Sequence, residues 1–368
     1  MVEWGLNSIP KRICFYVSDH GYGHAARSIA VIRHLQNNPN LDIVVKTSKP
    51  LDFVRRSLPN IKVIECLNDK GVILEKNYPK VNEDATSKLF HDWTENWEIY
   101  IEKEKIFCKG NDIDLIMSDI SPLPFLVAKE MGTPSIAISN FTWHSIFRHI
   151  YGNNQITKAL KDAYKSTTIA CLLPLREQMN VFKNRVQVNL VSRDISVNRS
   201  DFRKSLGIKE NEKLVYVGLG KSMDEKILSN LSHIADQNIR LLLPSEAKLN
   251  SKKYIRIPKD YTETQNYLGI CDLVVSKAGY STISEAIRGK VPTFIFLREN
   301  FYEDIFISKE LKKLKIGEAI SFEEFIGCDW IDKIETLGEY KDHFNNLSRK
   351  YTGNGCGQIE SIVKEILD

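Results

Sequence analysis

At 368 residues the chain is longer than a single hydrophobic core usually serves, which predicts two domains of roughly 150–200 residues each. The 51 Lys+Arg and 47 Asp+Glu leave a formal net charge of +4, and the two signs are interleaved, which argues against a dedicated nucleic-acid binder. Seven widely spaced cysteines without a C-x-x-C pair suit free thiols in a reducing cytoplasm; no apolar h-region opens the chain, and no run reaches the ~18 uncharged apolar residues of a membrane span.

Short Val- and Ile-rich runs alternate with segments of helical period, the pattern of parallel sheets with crossover helices. Strands are expected near 12–17, 41–46, 61–65, 114–118, 135–138, 168–173 and 186–190, and these make a first sheet. The pattern restarts at 213–218, 239–243, 254–257, 272–276, 293–297 and 318–320, a second doubly wound sheet. Between the two, 191–200 is polar and aperiodic and reads as a linker before a short helix ending at Gly207. In the tail, Ile359, Ile362, Val363 and Ile366 share one helical face. The expected organisation is therefore 1–192, 193–352 and a closing helix in 353–368.

The first strand runs into a turn containing His20, Gly21, Tyr22, Gly23 and His24, and a helix follows at once. Such a glycine-rich turn lets a ligand approach the backbone and presents helix N–H groups to it. Gly21-x-Gly23-x-x-Ala26 also spells a dinucleotide fingerprint, so an oxidoreductase has to be weighed. The acidic ribose ligand expected about 20 residues on is replaced by Lys46-Thr-Ser-Lys49. A nicotinamide dinucleotide phosphate could use those lysines, but it would leave the second sheet without work. His24 is a candidate base, since an imidazole can take the proton of an attacking hydroxyl. Its alternative is to cap the helix. The fourth strand ends at Asp119, at the same sheet edge, either as the carboxylate behind His24 or as a turn aspartate before Pro122.

In the second half, a buried strand leads through Ala278 and Gly279 to a helix carrying Tyr280, Ser281, Thr282 and Glu285. The helix end suits a diphosphate, with hydroxyl donors from Ser281 and Thr282 and ribose hydroxyls on Glu285. Thr282-x-x-Glu285 is equally a capping box. Glu303 and Asp304 begin another helix, as sugar ligands or as first-turn charges on its dipole. Gly218-Leu-Gly-Lys-Ser222 is short of a P-loop, but Gly220 and Lys221 could meet phosphate. Asp112-Ile-Asp114 spells the D-x-D of metal-dependent transferases at the wrong end of its strand and is given little weight.

Gly21-Tyr-Gly-His24 and Ser276-Lys-Ala-Gly-Tyr-Ser-Thr-Ile-Ser-Glu285 resemble the N-terminal loop and donor motif of the GT-B glycosyltransferases that include the peptidoglycan N-acetylglucosaminyltransferase. The phrases SDHGYGHAARSIAVIRHL, DLIMSDISPLPFLVAKEMGTPSIAISNFTW and LRENFYEDIFISKEL resemble more closely the glycosyltransferase-like domain at the front of plant-type arabinokinases and its stand-alone relatives. The likeness spans roughly 12–325. It implies an α/β GT-B fold, two Rossmann-like doubly wound domains facing a central cleft, with the acceptor on the first and a nucleotide-sugar on the second. It also implies a hexosyl or N-acetylhexosaminyl transfer with inversion and without metal or resident cofactor. A UDP-sugar is the favoured co-substrate, and the acceptor is a glycan, a lipid-linked molecule or a small molecule. In that picture His24 is the base, Asp119 orients it, residues 279–282 cradle the diphosphate and Glu285 holds the ribose. Many relatives carry an acidic residue followed by Gln where this chain has Glu303-Asp304, which leaves the sugar open.

Two other functions use the same loops: hydrolysis of a nucleotide-sugar, and non-catalytic binding of one. Finally, Phe141, Trp143, Ile146, Phe147, Ile150 and Tyr151 lie beside Arg148, Lys158, Lys161 and Lys165. They read either as a peripheral contact at the inner face of a membrane or, more commonly for such a stripe, as the buried face of a helix.

Overall fold

The computed structural model describes residues 9–76, 78–218, 231, 238–245 and 254–368. Its chain divides into two units. One comprises 1–73, 82–191 and 353–368, the other 74–81 and 192–352.

The first unit is built on a seven-stranded sheet of order β3-β2-β1-β4-β5-β6-β7, parallel throughout. The strands are β1 (Lys11–Val17), β2 (Leu41–Thr47), β3 (Lys62–Glu65), β4 (Leu115–Asp119), β5 (Ser135–Ser139), β6 (Ile169–Leu172) and β7 (Arg185–Gln187). Every residue of β4 and β5 is buried, as expected of strands covered by helices on both faces. The order reverses between β1 and β4, where Val17 lies opposite Asp119. At such a reversal the loops from the two carboxyl ends diverge to opposite faces and leave room for a ligand.

The second unit repeats the plan. Its sheet order is β10-β9-β8-β11-β12-β13, from β8 (Lys213–Gly218), β9 (Ile239–Leu243), β10 (Tyr254–Arg256), β11 (Leu273–Lys277), β12 (Thr293–Phe296) and β13 (Gly317–Ile320). Val215, Val217, Leu241, Leu243, Leu273, Val275, Phe294 and Phe296 pack on one face, with Phe325 and Trp330. Leu214, Leu242 and Val274 point the other way, against Leu268 and Ala286. This alternation is the period of two of an extended chain, apolar on both sides. The reversal here falls between β8 and β11, where Ser276 lies opposite Gly218. A Cβ on Gly218 would stand 3.2 Å from that of Ser276 and 2.6 Å from the Tyr216 ring, so the strand end itself requires glycine.

Two segments join units that their sequence neighbours do not. Residues Leu74–Val81 belong to the second unit although the chain on either side belongs to the first. The last helix, Gly355–Leu367, returns to the first unit. Its apolar face buries Ile359 and Val363, and Glu360 pairs with His34 at 3.0 Å on the helix Tyr22–Leu35. Among the described residues no helix is long and apolar enough to cross a membrane.

The docking of the last helix makes a test of packing against propensity. A Cβ on Gly355 would stand 2.3 Å from the Asn189 carbonyl oxygen, whereas one on Gly338, in the helix Leu337–His343, meets open space. Gly355→Ala is expected to destabilise by about 1–3 kcal/mol through overpacking despite alanine's better helix propensity. Gly338→Ala should be neutral or stabilise by up to ~1 kcal/mol. Urea-denaturation midpoints of the two variants check this, and a shift in the same direction for both would refute it.

Candidate functional site

At the carboxyl edge of the first sheet, two buried carboxylates lace the loops together. Asp19 Oδ1 accepts from the amides of Ser48 (2.7 Å) and Lys49 (2.9 Å), and Oδ2 from the amide of Asn68 (2.7 Å). The Asp19 amide in turn donates to Asp69 Oδ1 at 2.8 Å, and Asp69 Oδ2 accepts from Ser121 Oγ (2.9 Å) and Trp143 Nε1 (3.0 Å). The turns after β1, β2, β3, β4 and β5 are thereby tied to one another. Burial and the neighbouring Asp69 push the Asp19 pKa up, against the amides that hold its charged form. His20 lies in this frame, with its ring edge-on to Trp143 at 4.8 Å and filling the space where Gly71 lacks a Cβ.

The helix Tyr22–Leu35 starts at Gly21, whose φ of 162° is extended backbone, and no side chain caps it. A Cβ at Gly21 would meet open space, so nothing in the chain's own packing demands glycine there. Tyr22 and Gly23 are exposed, while His24 turns inward. Capping by His24 does not occur: its Nδ1 lies 3.0 Å from Asp119 Oδ1.

That carboxylate is shared. Arg27 and Ser28 stand three and four residues beyond His24 and so on the same helical face. Arg27 donates from Nε to Asp119 Oδ2 at 2.7 Å and from Nη2 to Oδ1 at 2.5 Å, and Ser28 Oγ donates to Oδ2 at 3.0 Å. Arg27 Nη1 also donates to Asn140 Oδ1 at 2.5 Å. Arg27 and Asp119 are both buried, the latter completely. Burial alone would raise the Asp119 pKa, but Arg27 and His24 outweigh it and hold it at about 2. The next residue, Ile120, adopts φ 51°, a left-handed conformation that costs a β-branched residue on the order of 1–3 kcal/mol. It is held there by Tyr164, whose hydroxyl donates to the Ile120 carbonyl at 2.5 Å.

Nδ1 of His24 also lies 3.0 Å from Arg27 Nη2. A guanidinium only donates and a carboxylate only accepts, so the imidazole proton decides which partner Nδ1 takes. With Nδ1 protonated, His24 donates to Asp119 and leaves the Nε2 lone pair as a base.

In the second unit, β11 passes through Ala278 and Gly279 into the helix Tyr280–Arg288, with Gly279 as N-cap and no side-chain cap. Thr282 is thus already the third helical residue, and the capping box anticipated for Thr282 and Glu285 does not form. The helix begins three residues earlier than that motif requires. Tyr280 and Ser281 are buried, Thr282 is half-buried, and a Cβ at Gly279 would meet open space. Glu285 is buried, and its Oε1 accepts from Arg193 Nε at 2.8 Å. Arg193 lies in the expected linker yet is itself buried, donating also to the Thr262 carbonyl (2.5 Å) and Thr264 Oγ1 (2.9 Å). Burial raises the Glu285 pKa, with Arg193 opposing.

Glu303 and Asp304 open the helix Tyr302–Leu314, and both face the buried Arg298. Asp304 Oδ1 accepts from Arg298 Nη2 at 2.5 Å and its Oδ2 from the Arg298 amide at 2.6 Å; Glu303 Oε2 lies 3.3 Å from Nη2. Nη2 further donates to the Ala278 carbonyl at 2.7 Å, and the guanidinium lies over the Phe301 ring at 3.6 Å. Burial opposes the Arg298 charge, but Asp304 and Glu303 more than offset it. Gly220 and Lys221 lie outside the described residues.

Asp114 and the stripe from Phe141 to Tyr151 have structural places in the first unit. Asp114 accepts from the Arg12 amide (2.8 Å) and from Lys11 (3.3 Å) at the amino end of the first sheet. Phe141, Trp143, Ile146 and Phe147 are buried, with Phe90 against Phe147 at 3.7 Å between ring centroids. That stripe is the inner face of a helix, and only Ile150 and Tyr151 remain half-buried.

Because Asp119 is held charged by Arg27, Asp119→Asn strands a buried guanidinium and should cost about 3–5 kcal/mol at neutral pH. The folded-state pKa lies below the unfolded value near 3.9, so this contribution is full above pH ~4 and fades as the pH falls toward 2. Denaturation midpoints should therefore differ widely at pH 7 and converge in acid; a gap constant down to pH 2 would exclude the ion pair as its source.

Comparison with known proteins bears on the identity of such a molecule. Residues 11–233 match the model of glycosyl transferase family 1. An L-arabinokinase of Arabidopsis thaliana is 26% identical over 342 residues, 90% of this chain, which spans about a third (32%) of that enzyme. A UDP-N-acetylglucosamine–N-acetylmuramyl-(pentapeptide) pyrophosphoryl-undecaprenol N-acetylglucosamine transferase of Clostridium botulinum is 19% identical, covering 93% of this chain and 96% of the relative. In fold, the spinosyn rhamnosyltransferase SpnG superposes with TM-score 0.70 at 10% identity over 96% of this chain and 100% of its own. The glycosyltransferase SnogD from Streptomyces nogalater gives 0.69 at 12% over 98% and 100%. With the family model covering most of the chain and two parallel sheets each reversing beside a helix N-terminus, the protein belongs to glycosyl transferase family 1 and is a glycosyltransferase of the GT-B fold.

Proposed function

We propose that the protein moves a sugar from a nucleotide-diphosphate donor onto an acceptor hydroxyl in one inverting displacement, without a metal ion. The observation that carries this reading is the buried carboxylate of Asp119 behind His24 Nδ1, which leaves Nε2 as the base. The acceptor oxygen attacks the anomeric carbon as its proton passes to Nε2, and the bond from that carbon to the diphosphate breaks. Asp119 stays ionised and stabilises the imidazolium that results. Arg27 neutralises the remainder of the carboxylate's charge and fixes its orientation.

The leaving diphosphate is assigned to the start of the helix Tyr280–Arg288, whose dipole and amides supply the positive potential a metal would otherwise provide. Ala278, Gly279, Tyr280, Ser281 and Thr282 form that cradle. Glu285 serves the ribose hydroxyls, oriented by Arg193. Asp304 acts through Arg298, and Glu303, which Arg298 also contacts at 3.3 Å, is assigned to the hydroxyls of the sugar. The Clostridium relative is named for transfer from UDP-N-acetylglucosamine, which supports UDP-sugars as the first donors to test.

His24→Ala should lower turnover by roughly 10²–10⁴ while donor affinity stays near wild type. Product analysis with UDP-, GDP- and TDP-sugars separates the alternatives. Rapid sugar release without acceptor would establish a hydrolase, and tight binding without any turnover a sensor. A second variant, Gly279→Ser, keeps a good N-cap residue and so should leave the melting temperature unchanged, yet it fills the space assigned to the diphosphate. Calorimetry is expected to show nucleoside-diphosphate binding weakened by about tenfold or more, as for loss of a close backbone approach; unchanged affinity would move the diphosphate elsewhere.

A further inference from the structure

The eight residues Leu74–Val81 are an excursion from the first unit's chain that the fold assigns to the second. Their neck is closed by the Asn82 amide donating to the Ile73 carbonyl at 2.8 Å, and Leu74 and Val81 pair antiparallel above it. The excursion grips one residue, Glu299, by both its amide and its carbonyl. The Glu299 amide donates to the Pro79 carbonyl at 2.7 Å, and its carbonyl accepts from the Val81 amide at 3.1 Å. Lys80 pairs with the Glu299 side chain at 2.8 Å, and Tyr78 packs edge-on against Phe322 at 5.4 Å.

Glu299 adjoins Arg298, which holds the Ala278 carbonyl immediately before Gly279. The segment beyond β12 leaves the sheet partly exposed: Leu297 is 37% exposed and Asn300 sits at φ 60°. Among the described residues its β-bridge is the parallel one between Lys80 and Glu299. At the other end of the excursion, three residues before Leu74, Gly71 packs against the imidazole of His20 in the glycine-rich turn.

We propose that Leu74–Val81 is a positioning strap for the nucleotide-sugar site: by fixing Glu299 it fixes Arg298 and, through it, the Ala278–Gly279 turn. The exposed Lys80–Glu299 ion pair contributes little by itself. The two backbone hydrogen bonds on Glu299 are the grip. The strap rests on the donor reading given above.

The test replaces residues 75–80 by glycine and serine and measures binding of UDP, GDP and TDP by calorimetry, with donor KM and kcat where turnover is found. A displaced turn should raise Kd and donor KM roughly tenfold, with kcat at saturation and the melting temperature nearly unchanged. Lys80→Cys combined with Glu299→Cys supplies the converse, since residues paired across a bridge lie within disulfide reach. Oxidation should preserve wild-type affinity or improve it. Wild-type affinity in the glycine–serine variant overturns the strap, as does an oxidised cysteine pair that binds as weakly as that variant. A wild-type protein that binds none of the three nucleotides overturns the donor reading itself.

Discussion

A carboxylate removed from water with no counter-charge would take up a proton and lose its use. Asp119 escapes this because the guanidinium of Arg27 meets both of its oxygens, with Ser28 and His24 taking the remaining directions. The rest of the first site is arranged around that pair. His24, Arg27 and Ser28 can converge on one carboxylate only because they share a helical face, and the face points at Asp119 only because the helix starts at Gly21. Asp119 meets them only because β4 ends beside β1 at the sheet's reversal. The left-handed Ile120 completes the geometry, turning the chain sharply once the carboxylate has been delivered.

The second unit solves a related problem with the same architecture and other residues. There the switch point presents a helix end in place of a His–Asp pair, and buried cations again fix the local chain: Arg298 beyond β12 secures the turn before the helix, and Arg193 secures Glu285 within it. In both units a buried arginine pairs with a carboxylate to immobilise a loop at a sheet edge. Broken pairs of this kind are costly because the surviving charge cannot reach water. The loops are thereby held in one arrangement by the same forces that stabilise the fold.

Much of this was legible beforehand for physical reasons. Strands buried on both faces are continuous apolar runs, so the thirteen described strands each overlap an expected segment, most plainly the fully buried β4, β5 and β12, and the carboxyl ends of β1, β4 and β11 lead to His24, Asp119 and Gly279. Arg27 was not legible, because a charged residue in a helix ordinarily faces solvent, and its burial depends on Asp119, 92 residues away. Asp19 and Asp69 were hidden likewise in polar loops. Thr282-x-x-Glu285 misled because local chemistry identifies a capping box only if the helix begins there, and this one begins at Tyr280. The excursion 74–81 has no period at all, so its membership in the second unit is a purely tertiary fact.

The order in which the chain visits its two units also limits how the molecule can be taken apart. A fragment ending at 191 would lack the terminal helix that covers Tyr22–Leu35, leaving an apolar surface where Ile359 and Val363 now sit. A fragment beginning at 192 would lose the peptide that pairs with Glu299. Neither half is a contiguous module, so recombining this protein with a relative by a single crossover at the obvious boundary would exchange incomplete bodies. Exchange that respects the fold has to carry the far end of the chain along with the first half and leave the short excursion with the second.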